Sequence, residues 1–315
     1  MLKQQIIRAH QRICAWVRST YLEYSPFLSA ITGAEVYLKL ENYQYTGSFK
    51  VRGAFNKLLS LCPDHRQPGI VAASSGNHGL ATAYALKQLN LTGTIFVPHH
   101  AAPSKVDSIK RLGVNVIHHG HDCLETELYA KQYADENNLV FISPYNDLEI
   151  IAGQGTIGVE VLEQLPDVEA IYASVGGGGL ISGIASYCKL ANPKIQIFGC
   201  LPQNSPAMAE SIKVGKIISV AQLPTLSDGT AGNIEKDAIT FELCRKYADD
   251  FYLVSEQDIV SALKLILEKH HMLIEGAAAV AVAALLNNQT IVKGKKVVIV
   301  VCGANIGVDA LKSIL

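Results

Sequence analysis

The sequence predicts an α/β fold, a chain of strand–helix–strand units around parallel sheets. Short β-rich runs alternate with stretches of helical period along the whole chain. Several of those runs are apolar on every residue, the pattern of strands covered on both faces. A hydrophobic fraction of 49% beside 17% charged residues describes a chain with enough apolar surface for a large core. At 315 residues there is room for two domains sharing one cleft.

Taken in order, residues 36–40 form the first predicted strand. A polar turn with Gly47 follows, ends on Phe49 and Lys50, and leads into a helix from Arg52. Strand 69–73 runs into Ser74-Ser75-Gly76-Asn77-His78 and helix 78–88. Strand 93–97 is followed by helix 104–112, and strand 115–118 by helix 125–137. Helix 155–165 precedes strand 171–175, which ends on Gly176, Gly177, Gly178 and Gly179 before an apolar helix opening at Leu180. Strand 195–200 and helix 256–271 come next. The alanine-rich run 276–286 is too short to span a bilayer and reads as a buried helix. Strand 296–301 delivers Cys302 into a glycine turn. Residues 51–145 carry their own strand–helix units and read as a small domain inserted into a large one made of 1–50 and 146–315.

Charge and cysteines narrow the function. With 27 basic and 28 acidic residues the net charge is −1, and no basic run or aromatic-plus-basic patch occurs, so neither nucleic acid nor an anionic membrane is the expected partner. A small molecule is. The seven cysteines are odd in number and scattered without a CxxC pair, which argues against a disulfide framework or zinc ribbon and for a reducing compartment. The N-terminal stretch interleaves charged and apolar residues and has no signal-peptide core, so a cytoplasmic protein is expected.

The turns at strand ends carry the chemistry. A lysine held at a turn and desolvated has a lowered pKa and a nucleophilic amine, the chemistry of an aldehyde bound as a Schiff base; the bland alternative for Lys50 is a surface lysine. Four glycines between a buried strand and a helix let backbone N–H groups close around an anion at the helix start. The segment lacks both the dinucleotide fingerprint and the GK[ST] ending of a P-loop, so a compact monophosphate fits best. Ser74 to His78 offer hydroxyls, an amide and helix-start N–H groups to a carboxylate, or serve only as a helix cap. Cys302 sits at the C-terminal end of its strand, where open α/β sheets hold ligands, and is either inert packing or a weak partner for a ring nitrogen.

ENYQYTGSFKVRGA, SSGNHG, IAGQGT, SVGGGGL and VCGAN follow one another in this order across essentially the whole chain. Together they resemble the fold-type II pyridoxal-phosphate enzymes, in particular the threonine/serine dehydratase and serine racemase group. The resemblance implies a two-domain protein, each domain an open, mostly parallel sheet flanked by helices, with pyridoxal 5'-phosphate between them. It implies Lys50 as the Schiff-base lysine and α-proton base, Phe49 packed beside the cofactor ring, and Asn77 on the ring hydroxyl. Gly176 to Leu180 become the phosphate cradle and Cys302 the ring-nitrogen partner. Ser74, Ser75, Gly76, Asn77 and His78 become the substrate-carboxylate loop, with Ser75 as an opposite-face acid or base. The implied activity is an ammonia-lyase converting a β-hydroxy amino acid to a 2-oxo acid and ammonia, in a homodimer. Racemisation of serine, dehydration of another hydroxylated amino acid (3-hydroxyaspartate, or a substrate of hydroxyectoine utilisation) and non-catalytic cofactor binding are the alternatives. Relatives with a divalent-cation site carry Glu-Pro where this chain has Leu201-Pro202, so no metal site is expected. No arginine lies between Arg111 and Arg245, which disfavours serine racemisation and a dicarboxylic substrate such as 3-hydroxyaspartate, and the stretch 225–232 departs from the pattern expected of a biosynthetic threonine dehydratase. Glu275 falls close to the cofactor by the same resemblance, without an assigned role.

Overall fold

The computed structural model describes residues 2–62 and 69–315; Met1 and residues 63–68, within the segments expected as 1–50 and 51–145, lie outside the described residues. The described strands are β1 (Leu22–Tyr24), β2 (Glu35–Lys39), β3 (Ile70–Ala73), β4 (Gly93–Val97), β5 (Asn115–His118), β6 (Val140–Phe141), β7 (Ala170–Ser174), β8 (Gln196–Pro202), β9 (Asp250–Val254) and β10 (Lys296–Val300). They make a six-stranded sheet of order β1-β2-β10-β7-β8-β9 and a four-stranded sheet of order β5-β4-β3-β6. Every pairing is parallel except that of β1 with β2. Each sheet with its helices forms a lobe.

Every predicted strand is present, displaced by at most two residues at an end, while β1, β6 and β9 escape the reading. Three and two residues are too few for a period in β1 and β6. β9 lies on the sheet edge, opens on an exposed aspartate and is only half-covered, so it lacks the all-apolar signature of its neighbours.

The apolar pattern explains the core of the larger lobe. Helix Gly276–Asn287 is buried from Gly276 to Leu285, as its alanine-rich sequence requires. Val280, Val282 and Leu285 are fully covered. Burying such a side chain contributes about 1.5–3 kcal/mol, which outweighs the few tenths of a kcal/mol that valine costs in a helix.

The helix that starts at Lys50, Lys50–Ser60, is fixed by two features. It crosses helix Leu148–Gln164 at glycine contacts: a Cβ on Gly153 would stand 2.6 Å from the Gly53 Cα. The IAGQGT motif is therefore a helix-crossing seat. Within the first turn of the Lys50 helix, Arg52 is fully buried between two carboxylates, with Nε donating to Glu41 Oε2 at 2.7 Å and Nη1 to Glu160 Oε1 at 2.6 Å. Lys39 reaches Glu160 Oε2 at 2.6 Å and donates to the Thr20 carbonyl at 2.7 Å. Burial pulls the Lys39 pKa down against the pull of Glu160, while the two cations hold the Glu160 carboxyl low despite its burial.

Candidate active site

Backbone contacts bring the Lys50 turn and the Cys302 turn together. Ser48 bridges Gly303, Phe49 N donates to the Cys302 carbonyl at 3.0 Å, and Ala304 N donates to the Gly47 carbonyl at 2.9 Å. Lys50 then extends toward the other lobe, its Nζ donating to the Pro144 carbonyl at 2.8 Å beside the Phe49 ring. Burial pulls the amine down to about 8, outweighing Glu127, Cys302 and Glu275, which act the other way.

A cavity of about 450 Å³, its open mouth included, lies around this amine. Phe49, Lys50 and Cys302 line one side, and Gly176 to Leu180 line another. The glycines have no room for side chains: a Cβ on Gly177 would meet the Tyr145 ring at 2.4 Å, and Gly178 is left-handed with φ +86°. Helix Gly179–Ala191 begins there with no side-chain cap, so its first N–H groups stay available to an anion.

Asn77 also lines the cavity, and its side chain does not cap its own helix, Asn77–Gln88. Its Nδ2 donates to both oxygens of Glu275, at 2.8 and 3.0 Å, and its Oδ1 accepts from Asn305 Nδ2 at 2.7 Å. The amide is thus held in one orientation. Glu275, 3% exposed, also accepts from Asn305 N at 3.0 Å, and burial lifts its carboxyl to about 7 although Asn77 pulls it down. The role that sequence left open for Glu275 is therefore at least to orient Asn77.

Ser74, Ser75, Gly76 and His78 do not line the cavity. Ser74 Oγ accepts from Gly76 N at 3.0 Å and shapes the turn. The buried His78 ring places Nε2 2.9 Å from the Ile142 carbonyl, and burial takes its pKa down to about 3, so the imidazole is neutral and committed to packing. The Cys302 thiol, lifted far above its ordinary value by burial and then by Glu275, is neutral as well.

Tyr145, Ser174, Gly229, Thr230 and Ala277 complete the cavity wall and escaped the sequence reading. Ser174 was visible only as part of a predicted strand, and Gly229 and Thr230 only as part of the atypical stretch 225–232. Nothing in the sequence marked Tyr145.

The donor set fits pyridoxal 5'-phosphate: a desolvated amine, an uncapped glycine-lined helix start for a phosphate, an oriented amide and a neutral thiol. Comparison with known proteins agrees. A family model described as pyridoxal-phosphate dependent enzyme matches residues 13–303. An L-threonine ammonia-lyase of Thermotoga maritima is 43% identical over 312 residues, covering 99% of this chain and 77% of the relative. The solved structure of maize serine racemase superposes with a TM-score of 0.93 at 33% identity, over 98% of this chain and 95% of that one. The processed threonine deaminase isoform 2 of Solanum lycopersicum gives a TM-score of 0.94 at 30% identity, over 99% of this chain and 87% of that one.

Proposed function

Because the chain belongs to the family of pyridoxal-phosphate-dependent enzymes, we propose that it is an ammonia-lyase: it converts a β-hydroxy amino acid such as L-threonine or L-serine to a 2-oxo acid and ammonia. One observation carries the reading. The lowered amine of Lys50 shares a single cavity with an uncapped, glycine-lined helix start and a neutral thiol.

The cofactor, when bound, supplies the electron sink that makes the Cα proton of an amino acid acidic. The residues supply the rest. Gly176 to Leu180 would hold the phosphate through backbone N–H groups. Phe49 would pack beside the ring, and Asn77, fixed by Glu275 and Asn305, would present its amide to the ring oxygen. Cys302 would partner the ring nitrogen as a neutral thiol, which would place no formal charge there and so favour elimination over transamination. Lys50 would carry the cofactor, and its lowered amine is near enough to neutral to take the Cα proton of the substrate. Backbone N–H groups of Ser75, Asn77 and His78 would receive the substrate carboxylate, since Ser74 N and Gly76 N already donate to the Phe96 carbonyl and to Ser74 Oγ and the His78 ring is engaged with the Ile142 carbonyl. Loss of water and hydrolysis of the product then give 2-oxobutanoate from threonine or pyruvate from serine, with one ammonia each. The racemase reading rests on Ser75, which stands off the cavity wall.

The two sheets support a division into a large domain of 1–50 and 146–315 and a small domain of 51–145. No described helix is long and apolar enough to cross a membrane. We also propose a cytoplasmic location, on the unpaired cysteines, and a homodimer, on the exposed aromatic residues Tyr21, Tyr24 and Tyr43 around the β1 edge; light scattering of the purified protein tests the latter.

Incubation with L-threonine, L-serine, D-serine and 3-hydroxyaspartate, scored for 2-oxo acid, ammonia and chirality, tests the activity. Ammonia and 2-oxobutanoate from L-threonine are expected. Inverted chirality without ammonia release would replace the lyase reading by a racemase, and no reaction with any of the four would overturn it.

A further inference from the structure

The glycine loop is braced from behind by a helix that takes no part in the cavity wall. Helix Ile239–Tyr247 follows Ala238, which has no side chain to cap it, and its first N–H group is held from outside: Ile239 N donates to Asn146 Oδ1 at 2.9 Å. The next residue, Thr240, is thereby set fully buried against the loop. A Cβ on Gly178 would stand 3.1 Å from the Thr240 Cβ, 3.1 Å from Cys244 Sγ and 2.9 Å from Met208 Cε. None of these three side chains lines the cavity, whereas Gly177 and Gly178 both do. The three therefore pack on the side of the loop turned away from the cavity.

A threonine in the first turn of a helix ordinarily gives its hydroxyl to nearby backbone of its own segment. Thr240 instead donates from Oγ1 to the Gly177 carbonyl at 2.6 Å. The Gly177–Gly178 peptide is trans, and in a planar trans peptide the C=O and the following N–H point in opposite directions. With the carbonyl turned out to Thr240, the Gly178 N–H is turned toward the cavity. Among the described residues no protein group accepts from it. The Gly178 carbonyl, by contrast, is already engaged, accepting from Ser182 N at 2.9 Å. This peptide has glycine on both sides, so no Cβ resists rotation of its plane, and the backbone alone leaves open which end faces the cavity. The hydroxyl decides it.

We propose that Thr240 is a positioning residue for the anion cradle: its hydroxyl pins the Gly177 carbonyl outward and so commits the Gly178 N–H to a phosphate in the cavity. This donor adds to the uncapped N–H groups at the start of helix Gly179–Ala191, whose direction is set by the helix itself. The inference rests on the pyridoxal-phosphate reading for the identity of the anion, but the direction of the peptide does not depend on it.

The affinity of the cofactor-free protein for pyridoxal phosphate and for pyridoxal, which lacks the phosphate, tests this by difference. Thr240→Val keeps the shape packed on Gly178 and removes the hydroxyl. It is expected to weaken binding of pyridoxal phosphate by about tenfold, the loss of one hydrogen bond to a charged group, and to leave that of pyridoxal within about twofold. Thr240→Ser keeps the hydroxyl and is expected to bind both as the wild type does. Equal loss for the two ligands, equal loss in the two variants, or no loss in Thr240→Val would each overturn the proposal. A measurement on the wild type needs no variant to fold. With glycine-selective isotope labelling, the Gly178 amide proton resonance of the cofactor-free protein is expected to move downfield as inorganic phosphate is added, and a resonance unmoved at any phosphate concentration would overturn the proposal. Attachment of pyridoxal to Lys50 with a still Gly178 resonance would sink this inference alone. A moving resonance with no aldehyde on Lys50 would uphold the cradle and sink the enzyme reading alone.

Discussion

At the level of single residues, the site depends on groups held in unusual protonation states by burial. Lys50 at about 8 is the clearest. Its neutral fraction grows as pH rises through that value, so the rate at which cofactor-free protein takes up pyridoxal phosphate should climb with pH and flatten above about 8. A rate that falls over that range would contradict the desolvated-amine account. Cys302 offers a second test. Replacing its neutral thiol by a neutral hydroxyl in Cys302→Ser should keep kcat for ammonia release within about tenfold, whereas Cys302→Asp, which brings a negative charge to the ring nitrogen, should lower it by at least a further order of magnitude. Equal rates in the two variants would show that charge at this position is irrelevant. Lys50, the glycines and Cys302 were legible in the sequence because each lies at the end of a strongly apolar strand or in a compact turn. Tyr145 and Thr230 were not, because their place is set by the packing of one lobe on the other, which leaves no local pattern. His78 enters the substrate-carboxylate loop only through the resemblance; by itself it reads as a packed or capping histidine, and its buried ring is engaged by the Ile142 carbonyl.

Among the secondary-structure elements, the cradle and the Lys50 helix are each held by close backbone approach. Gly177→Ala would drive a methyl group into the Tyr145 ring, where the Cβ would lie 2.4 Å from ring atoms. Such overpacking costs about 1–3 kcal/mol, and here it falls on the phosphate-binding loop. Thermal unfolding should show the loss, and cofactor affinity should fall with it; a variant with wild-type affinity would mean that the loop is not the cradle. The Lys50 helix depends on Arg52. Arg52→Ala leaves Glu41 and Glu160 buried with fewer partners, and breaking such a pair costs about 3–5 kcal/mol. Denaturant unfolding checks this, and a loss below about 1 kcal/mol would show that the remaining Lys39 suffices. Strands were read well where both faces are covered, as in β7 and β10, and missed where an edge leaves one side wet, as in β9. The IAGQGT motif was recognised by its residues, but its role in seating one helix on another required the Gly53 contact.

Across the whole molecule, the parallel order of both sheets sends strand ends and their turns into one cleft, which is how residues as far apart as Lys50 and Cys302 come to share a cavity. The alternation of strand and helix made this class of fold readable, whereas which lobe residues face each other across the cleft was not. The central claim is that Lys50 carries pyridoxal phosphate in this cleft. Borohydride reduction of the cofactor-loaded protein, followed by peptide mass mapping, measures it most directly. The account predicts a visible absorbance band lost on reduction, with the cofactor mass fixed to Lys50 and absent from Lys50→Ala. A band that survives in Lys50→Ala, or cofactor mass on a different lysine of the wild-type protein, would contradict it.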